Sequence, residues 1–123
     1  MNDLVENAKL VGVVGPCSAG KSTLIRALKE EGYQARHIAQ EHSFVPEMWQ
    51  KLVNPWVLIY LDVSYQESMH RRPLNMNQAE FEEQIQRLSH AKEHADLYIY
   101  TDRFTPQEVL TAVEEFLTSK VDN

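Results

Sequence analysis

The chain has 123 residues, of which 43% are hydrophobic and 24% are charged, an ordinary composition for a globular protein. This length predicts one domain over residues 1–123. The formal net charge of −6 argues against a duplex nucleic-acid binder, which needs a basic face, but allows nucleotide binding at a locally positive site. The single cysteine, Cys17, excludes an intrachain disulfide framework and favours the reducing cytoplasm.

Membrane association is not predicted. No stretch approaches the roughly 20 apolar residues that a membrane-spanning helix needs. The start MNDLVENAK lacks the apolar core of a signal peptide. We therefore expect a cytoplasmic protein.

Apolar runs alternate with helical patterns along the chain. The runs at residues 10–14, 56–63 and 97–101 predict strands, and residues 35–39 form a weaker candidate. Helical spacing follows the first run up to Gly32, and capping patterns predict further helix starts at Ser64, Asn77 and Thr105. This alternation predicts a three-layer α/β fold, with a small parallel sheet of about four strands and helices on both faces.

The segment GPCSAGKS, residues 15–22, joins the first predicted strand to the first predicted helix; we call it the glycine loop. It has the spacing G-x-x-x-x-G-K-S in the strand–loop–helix context of a phosphate-binding P-loop. Gly15 and Gly20 would let backbone N–H groups point at phosphate oxygens. Lys21 would bridge the β- and γ-phosphates, and the Ser22 hydroxyl would ligate Mg²⁺. The residues expected to bind ATP or GTP with Mg²⁺ are Gly15, Pro16, Cys17, Ser18, Ala19, Gly20, Lys21, Ser22 and Thr23.

With this loop, the chain resembles the P-loop NTPase superfamily, in particular its branch of nucleoside and small-metabolite kinases. LIYLDVSYQESMHRR, residues 58–72, is similar to the segment where a strand of those kinases leads into the arginine-bearing helix before the lid. HADLYIYTDRFTPQEVLTAVEEFL, residues 94–117, is similar to their last strand and C-terminal helix. The resemblance implies a phosphotransferase that moves the γ-phosphoryl group of ATP or GTP to a small-molecule acceptor.

The chain departs from those kinases after its second predicted strand. There the kinases carry an acceptor-binding region and a further strand that ends in an acidic, Mg²⁺-organising residue. This chain has only residues 40–55 in that interval, and its lid is reduced to residues 72–78. The resemblance therefore implies a minimal domain whose Walker B acid is not evident.

Two acidic residues are candidates to replace that acid. Glu41 follows the second predicted strand, whose carboxyl end should approach the phosphate site. It would orient a Mg²⁺-bound water or accept a proton from the acceptor, although a solvated loop glutamate fits equally well. Asp62 ends the most apolar strand and is a candidate Mg²⁺ ligand, but the resemblance favours a structural role for it beside the lid helix.

Arginines near the short lid are candidates for charge stabilisation. Arg72, and less strongly Arg71, would clamp the γ-phosphate, with a solvated basic helix end as the alternative. The resemblance also implies that Asp102, Arg103 and Phe104 form a loop beside the nucleotide base, with Arg103 as a candidate contact. A loop with incidental polar residues explains these three equally well.

One competing motif is HAKEH, which matches the inverted zinc-protease signature H-x-x-E-H. On the helical wheel set by Phe81, Ile85 and Leu88, however, His90 and His94 point away from the apolar stripe. We therefore expect a solvated helix face there.

The pair Met48 and Trp49, near His42 and Phe44, has two explanations. It would line an acceptor pocket or cap one end of the core, and core packing is favoured for Trp49. Cys17 is expected to contribute its backbone to the loop, with any thiol reactivity incidental.

Three functions are compatible with these patterns. The first is the phosphotransferase. The second is a nucleotide-binding or slowly hydrolysing protein without an acceptor, acting as a switch or as a subunit of a homo-oligomer. The third, which the sequence favours least, is a metallohydrolase. The sequence leaves the acceptor and the preferred base open.

Overall fold

The computed structural model describes residues 9–73 and 75–122. The opening segment MNDLVENA, Leu74 of the predicted lid and Asn123 lie outside the described residues. Within them the fold is α/β, as predicted. The strands are β1 (Val11–Val14), β2 (Ala35–His37), β3 (Val57–Asp62) and β4 (Leu97–Tyr100). The helices are α1 (Lys21–Glu30), α2 (Met48–Leu52), α3 (Tyr65–Arg71), α4 (Gln78–Arg87), α5 (Ser89–His94) and α6 (Pro106–Asp122), with short 3₁₀ turns at Gln40–His42 and Thr101–Arg103.

The four strands form one parallel sheet in the order β2-β1-β3-β4. This confirms the predicted parallel sheet of about four strands. In the ladder, Val11 is opposite Ala35 on one side and Val57 on the other. Because all strands run the same way, the segments that follow them meet at one edge of the sheet. The glycine loop lies at this edge.

Buried side chains cover both faces of the sheet because successive residues of a strand point to opposite sides. Val57, Ile59 and Leu61 of β3 belong to one core cluster, which includes side chains from α1 and α6. Leu58 and Tyr60 belong to a second cluster, which includes side chains from α2 and α5. Helices therefore pack on both faces, which is compatible with the predicted three-layer arrangement.

The helix starts follow the capping patterns of the sequence. Ser64 Oγ accepts from the Glu67 N–H at 3.1 Å and begins α3. Asn77 and Glu80 exchange two 2.8 Å hydrogen bonds and begin α4. Thr105 Oγ1 accepts from the N–H of the residue three positions later at 3.1 Å, before α6. These local hydrogen bonds confirm the three predicted starts. No helix in the described part of the chain is long and apolar enough to cross a membrane.

Candidate functional site

The glycine loop needs glycine at two positions. Gly15 has φ of 152°, and a Cβ added there would clash with the Leu61 carbonyl oxygen of the neighbouring strand. Gly20, with φ of 101°, is the N-cap of α1 in the left-handed region. The loop therefore leaves β1 close against the backbone of β3 and turns sharply into the helix.

Lys21 is buried at the start of α1, and only 8% of the residue is exposed. Its ammonium donates to the Gly15 carbonyl, to the Pro16 carbonyl at 3.1 Å and to Glu41 Oε2 at 2.9 Å. Its positive charge therefore lies inside the curve of the loop.

Glu41 reaches Lys21 because β2 lies directly beside β1 in the sheet. The residue is 2% exposed, and its Oε1 is buried without a hydrogen-bond partner. Two histidines approach its Oε2, His37 at 3.5 Å and His42 at 3.8 Å. Of the two acids proposed from the sequence, Glu41 is thus the one brought to Lys21.

His37 titrates in the field of this pair. Burial lowers its pKa below the usual 6.5, and the nearby Lys21 charge lowers it further. Glu41 acts in the opposite direction, through its charge and a hydrogen bond, and does not cancel the shift. The imidazole is therefore mainly neutral at pH 7.

The Asp62 carboxylate is hydrogen-bonded to residues other than Lys21. Its Oδ1 accepts from the Val63 N–H at 2.9 Å, and its Oδ2 accepts from the Tyr98 hydroxyl of β4. Ser22, the other predicted Mg²⁺ ligand, is exposed and lines a shallow depression on the side of His37. Among the described residues, no hydrogen bond connects the side chains of Asp62 and Ser22.

Arg71, rather than Arg72, contacts the glycine loop. Its Nη1 donates to the Ser18 carbonyl at 3.1 Å and to Thr101 Oγ1 at 3.0 Å, and its Nη2 donates to the Thr101 carbonyl at 2.6 Å. Its Nε also pairs with Glu67 at 3.0 Å, and its side chain is 25% exposed. Arg72 is exposed at the C-cap of α3.

Thr101, which was not among the residues predicted from the sequence, connects the elements of the site. It is 2% exposed, and its Oγ1 lies 2.8 Å from the Asp62 carbonyl and 3.3 Å from the Ala19 carbonyl. It directly follows β4, so the convergence of parallel strand ends is a signal that could have found it.

Two further residues that were not predicted fix Cys17 of the loop. Gln84 Oε1 accepts from the Cys17 N–H at 3.1 Å, and Gln84 Nε2 donates to the Cys17 sulfur at 3.3 Å. Ser68 Oγ donates to the Cys17 carbonyl at 3.2 Å. The loop is thus held by α3 and α4, through side chains that no local motif identifies.

A cleft of about 360 Å³ lies beside the loop. Residues 18–20 and Thr23 form one wall, and Asp102, Phe104 and Val109 form part of the other. Arg103, the predicted base contact, is exposed and lies in a different surface depression, against β4.

Asp102 presents a negative charge at this cleft. Burial acts to raise its pKa, but hydrogen bonds from Ser64 and Tyr100 and the charge of Arg71 outweigh burial and lower it. The Ser64 N–H donates at 2.8 Å and the Tyr100 hydroxyl at 3.1 Å. The carboxylate is therefore ionised at neutral pH.

Residues 40–55 fold onto the core. Trp49 is 5% exposed and belongs to the second core cluster, the alternative favoured for it. The Gln40 amide is also buried, and its Oε1 accepts from the Trp49 N–H at 2.8 Å. Phe44 is 83% exposed, with the Arg87 guanidinium 4.3 Å from its ring centroid.

His90 departs from the expected solvated face, whereas His94 is exposed. The Trp49 Nε1–H donates to His90 Nδ1 at 3.1 Å, so His90 is partly buried. The helical wheel was wrong here because α4 ends at Arg87 and α5 begins at Ser89, with Leu88 between them outside ideal helical geometry. Across the described residues, the histidine pair has no third metal-ligating side chain close to both.

No protein-family model matches the chain, and no curated protein matches it significantly. A functional assignment therefore depends on the geometry of the loop and of the side chains around it.

Proposed function

We propose that the chain binds ATP or GTP with Mg²⁺ through residues 15–23 and transfers the γ-phosphoryl group to a small-molecule acceptor, as a minimal member of the P-loop NTPase fold. The observation that carries this proposal is the position of Lys21. Its ammonium is buried inside a loop whose two ends require glycine, at the start of a ten-residue helix. An incoming phosphate would compete with Glu41 for this ammonium.

The first turn of α1 supports anion binding. Its N-cap is Gly20, which has no side chain to accept from the first-turn N–H groups, and no acidic residue lies in that turn. These N–H groups and the positive end of the helix dipole are the features that bind phosphate at helix starts. Together with Lys21, whose charge is balanced by Glu41 until a phosphate displaces that carboxylate, they form a compact phosphate site in an acidic protein.

The residues present also fit a magnesium ion. Mg²⁺ prefers oxygen ligands, and two oxygen-bearing side chains are neighbours of Lys21: the exposed hydroxyl of Ser22, the next residue, and the carboxylate of Glu41, which bonds the Lys21 ammonium. Ser22 would hold the ion directly, and Glu41 would orient a water bound to it. When bound, Mg²⁺ supplies neutralisation of phosphate charge.

The other roles in the phosphoryl transfer belong to side chains of the protein. Glu41 accepts the proton of the acceptor hydroxyl while that oxygen bonds to phosphorus and the bond to the nucleotide's leaving oxygen breaks. Lys21 stabilises the charge that develops on the transferred group. Arg71 fixes the loop through Ser18 and adds positive charge beside it. The cleft beside Asp102 and Phe104 takes the base, with the exposed Phe104 ring as a stacking surface.

One observation favours the second function, a nucleotide-binding or slowly hydrolysing protein without an acceptor. Residues 40–55, the interval expected to hold the acceptor, fill the core with Trp49 and Gln40. An acceptor would then approach over the open surface near His37 and His42 rather than enter a pocket. Hydrolysis would need no such pocket, because the acceptor is then a water molecule.

Two measurements on the purified protein test the proposal. Titration calorimetry with ATP and GTP in the presence of Mg²⁺ should show binding to one site per chain. A nucleotide-release assay over nucleosides and small metabolites should then show turnover that depends on one acceptor class. Binding with slow, acceptor-independent release would instead support the second function, and no binding of either nucleotide would overturn both.

A further inference from the structure

The glycine loop and the turn after β2 bring together three different metal-ligating side chains. Cys17 lies in the loop, and Glu41 and His42 lie in the 3₁₀ turn Gln40–His42. One ligand atom from each, the sulfur, a carboxylate oxygen and an imidazole nitrogen, lies within 4.8 Å of the other two. From this cluster we propose that Cys17, Glu41 and His42 bind a divalent transition-metal ion of the zinc class.

The donor set indicates the kind of metal. A thiolate and an imidazole are ligands that zinc accepts readily, and a carboxylate completes many zinc sites. Mg²⁺ and Ca²⁺ prefer oxygen ligands and would gain little from the sulfur. Three protein ligands leave a fourth, open position, as in zinc sites that also hold water.

A buried oxygen of Glu41 without a hydrogen-bond partner also favours a bound metal ion. Glu41 is 2% exposed, and its Oε1 is buried without a hydrogen-bond partner, whereas its Oε2 bonds Lys21. A buried carboxylate oxygen without a partner is costly. His42 approaches Oε2, at 3.8 Å, so a metal ion held by His42 would contact the carboxylate at Oε2 and could also bind the unpartnered Oε1 beside it.

Gln84 orients the Cys17 sulfur for metal binding through a hydrogen bond. Because the Cys17 N–H needs the amide oxygen, at 3.1 Å, the amide nitrogen must face Cys17 Sγ, at 3.3 Å. An N–H donated to the sulfur orients it, as partners outside the ligand set do in metal sites. Gln84 is 6% exposed, so this bond is protected from water.

Closing the site requires only a small movement. Ligands at the usual zinc distances of about 2.0–2.3 Å lie within about 4 Å of one another, so ligand atoms that lie within 4.8 Å need to approach by at most about 1 Å. The His42 side chain is 61% exposed and can rotate towards the other two without disturbing the core.

Metal binding here does not depend on the proposed nucleotide chemistry. One consequence does rest on that proposal: a zinc ion on Glu41 would take the carboxylate away from Mg²⁺ and from the acceptor proton. Zinc would then act as an inhibitor of turnover at the same loop. Zinc binding is measured with the metal alone, so its failure and a failure to bind nucleotide are separate results.

The test loads chelator-treated, nucleotide-free protein with Zn²⁺ and measures the metal retained after desalting. Wild type should retain about one zinc per chain. Cys17→Ser and His42→Ala should each weaken zinc binding by more than about tenfold, because loss of an outer partner alone can cost that much. His90→Ala/His94→Ala, which removes the other histidine pair, is the matched control and should retain the metal.

Co²⁺ in place of Zn²⁺ reports on the sulfur directly. Wild type and the His90→Ala/His94→Ala control should show a sulfur-to-cobalt charge-transfer absorption that Cys17→Ser lacks. Circular dichroism confirms that each variant is folded, and His42→Ala changes an exposed side chain that no core contact requires. Wild type without zinc, undiminished zinc in Cys17→Ser and His42→Ala, or loss of zinc in the control would each overturn the proposal.

Discussion

Lys21 and Glu41 form a buried ion pair, with Nζ 2.9 Å from Oε2 and side chains only 8% and 3% exposed. The pair joins the first turn of α1 to the turn after β2, and it exists because those strands are neighbours in the sheet. Removing one partner of such a pair leaves the other charge buried and commonly costs about 3–5 kcal/mol. Variants at this site therefore need controls for folding as well as for binding.

The first prediction concerns Lys21. Lys21→Ala should weaken Mg²⁺-nucleotide binding strongly, by about tenfold or more, because the phosphates lose a charge-assisted hydrogen bond. Titration calorimetry on wild type and variant measures the loss. Lys29→Ala, in the exposed last turn of the same helix, is the matched control and should bind as wild type does.

A folding control makes that result interpretable. Lys21→Ala leaves the Glu41 charge without its partner, whereas Lys21→Met/Glu41→Gln removes both charges and should recover stability. If the double variant is as stable as wild type and fails to bind nucleotide, while Glu41→Gln alone still binds it, the loss belongs to Lys21. Equal affinity in wild type and Lys21→Ala would remove Lys21 from its assigned role.

The second prediction separates two neighbouring arginines. Arg71→Ala should lower nucleotide affinity or turnover by about tenfold or more, because the loop loses bonds that each contribute about 1.5–3 kcal/mol. Arg72→Ala, at the exposed end of the same helix, should change little. Arg71→Lys keeps the charge but cannot reproduce the two bonds to Thr101, so it should recover activity only in part. Parallel losses in Arg71→Ala and Arg72→Ala would contradict this assignment.

What the sequence predicted well was local. The glycine loop is a contiguous motif, and its glycines, lysine and helix start need only neighbouring residues to be recognised. Strands β1 and β3 are long apolar runs, and the caps at Asn77 and Thr105 depend on a partner three residues away. The positions of these elements were therefore confirmed.

What it could not predict depends on contacts between distant elements. Arg71, and not Arg72, contacts the glycine loop region because it bonds Thr101, which lies 30 residues away in the chain. Asp62 is hydrogen-bonded by Tyr98, at a separation of 36 residues, and not by Lys21. His90 is turned towards Trp49 by the break between α4 and α5. A helical wheel or a motif contains no information on any of these pairings.

The third prediction concerns pH and follows from His37. Its pKa in the folded protein is lower than the unfolded value of 6.5, so below that pH the unfolded chain binds more protons. Stability should then fall as the pH drops from about 6.5 through the lowered folded pKa. Lys21 and His42 face the same carboxylate and oppose a further positive charge there, while Glu41 favours it.

Thermal unfolding of wild type and His37→Asn over this pH range measures the effect. The wild-type midpoint should decrease more steeply with falling pH than that of the variant, because asparagine has no proton to gain. His70→Asn, at an exposed position of α3, is the matched control and should follow wild type. Identical pH profiles in wild type and His37→Asn would contradict the lowered pKa.

The fourth prediction assigns a structural role to His90. His90→Ala should lower the free energy of unfolding by about 1–3 kcal/mol, because the indole N–H of the buried Trp49 loses its acceptor. His94→Ala, which changes an exposed ring stacked on His90, should cost less. Urea unfolding of the single variants measures both. The His90→Ala/His94→Ala double variant should remain folded and keep its nucleotide affinity, and lost affinity would contradict this structural role.

The last prediction addresses the chemical step. Glu41→Gln keeps the size of the side chain and its ability to accept from Lys21 but removes the negative charge. If Glu41 accepts the acceptor's proton, turnover should fall by about 10²-fold or more while nucleotide affinity changes little. Affinity should not weaken, because the variant competes less strongly with phosphate for the Lys21 ammonium. Asp62→Asn is the matched control, since the Asp62 carboxylate accepts from Tyr98 and the Val63 N–H and has no hydrogen bond to Lys21 among the described residues. Unchanged turnover in Glu41→Gln together with a loss in Asp62→Asn would transfer the role to Asp62. An absence of turnover in wild type on every acceptor, with nucleotide still bound, would instead favour a binding or slowly hydrolysing protein whose Glu41 holds Lys21 in place.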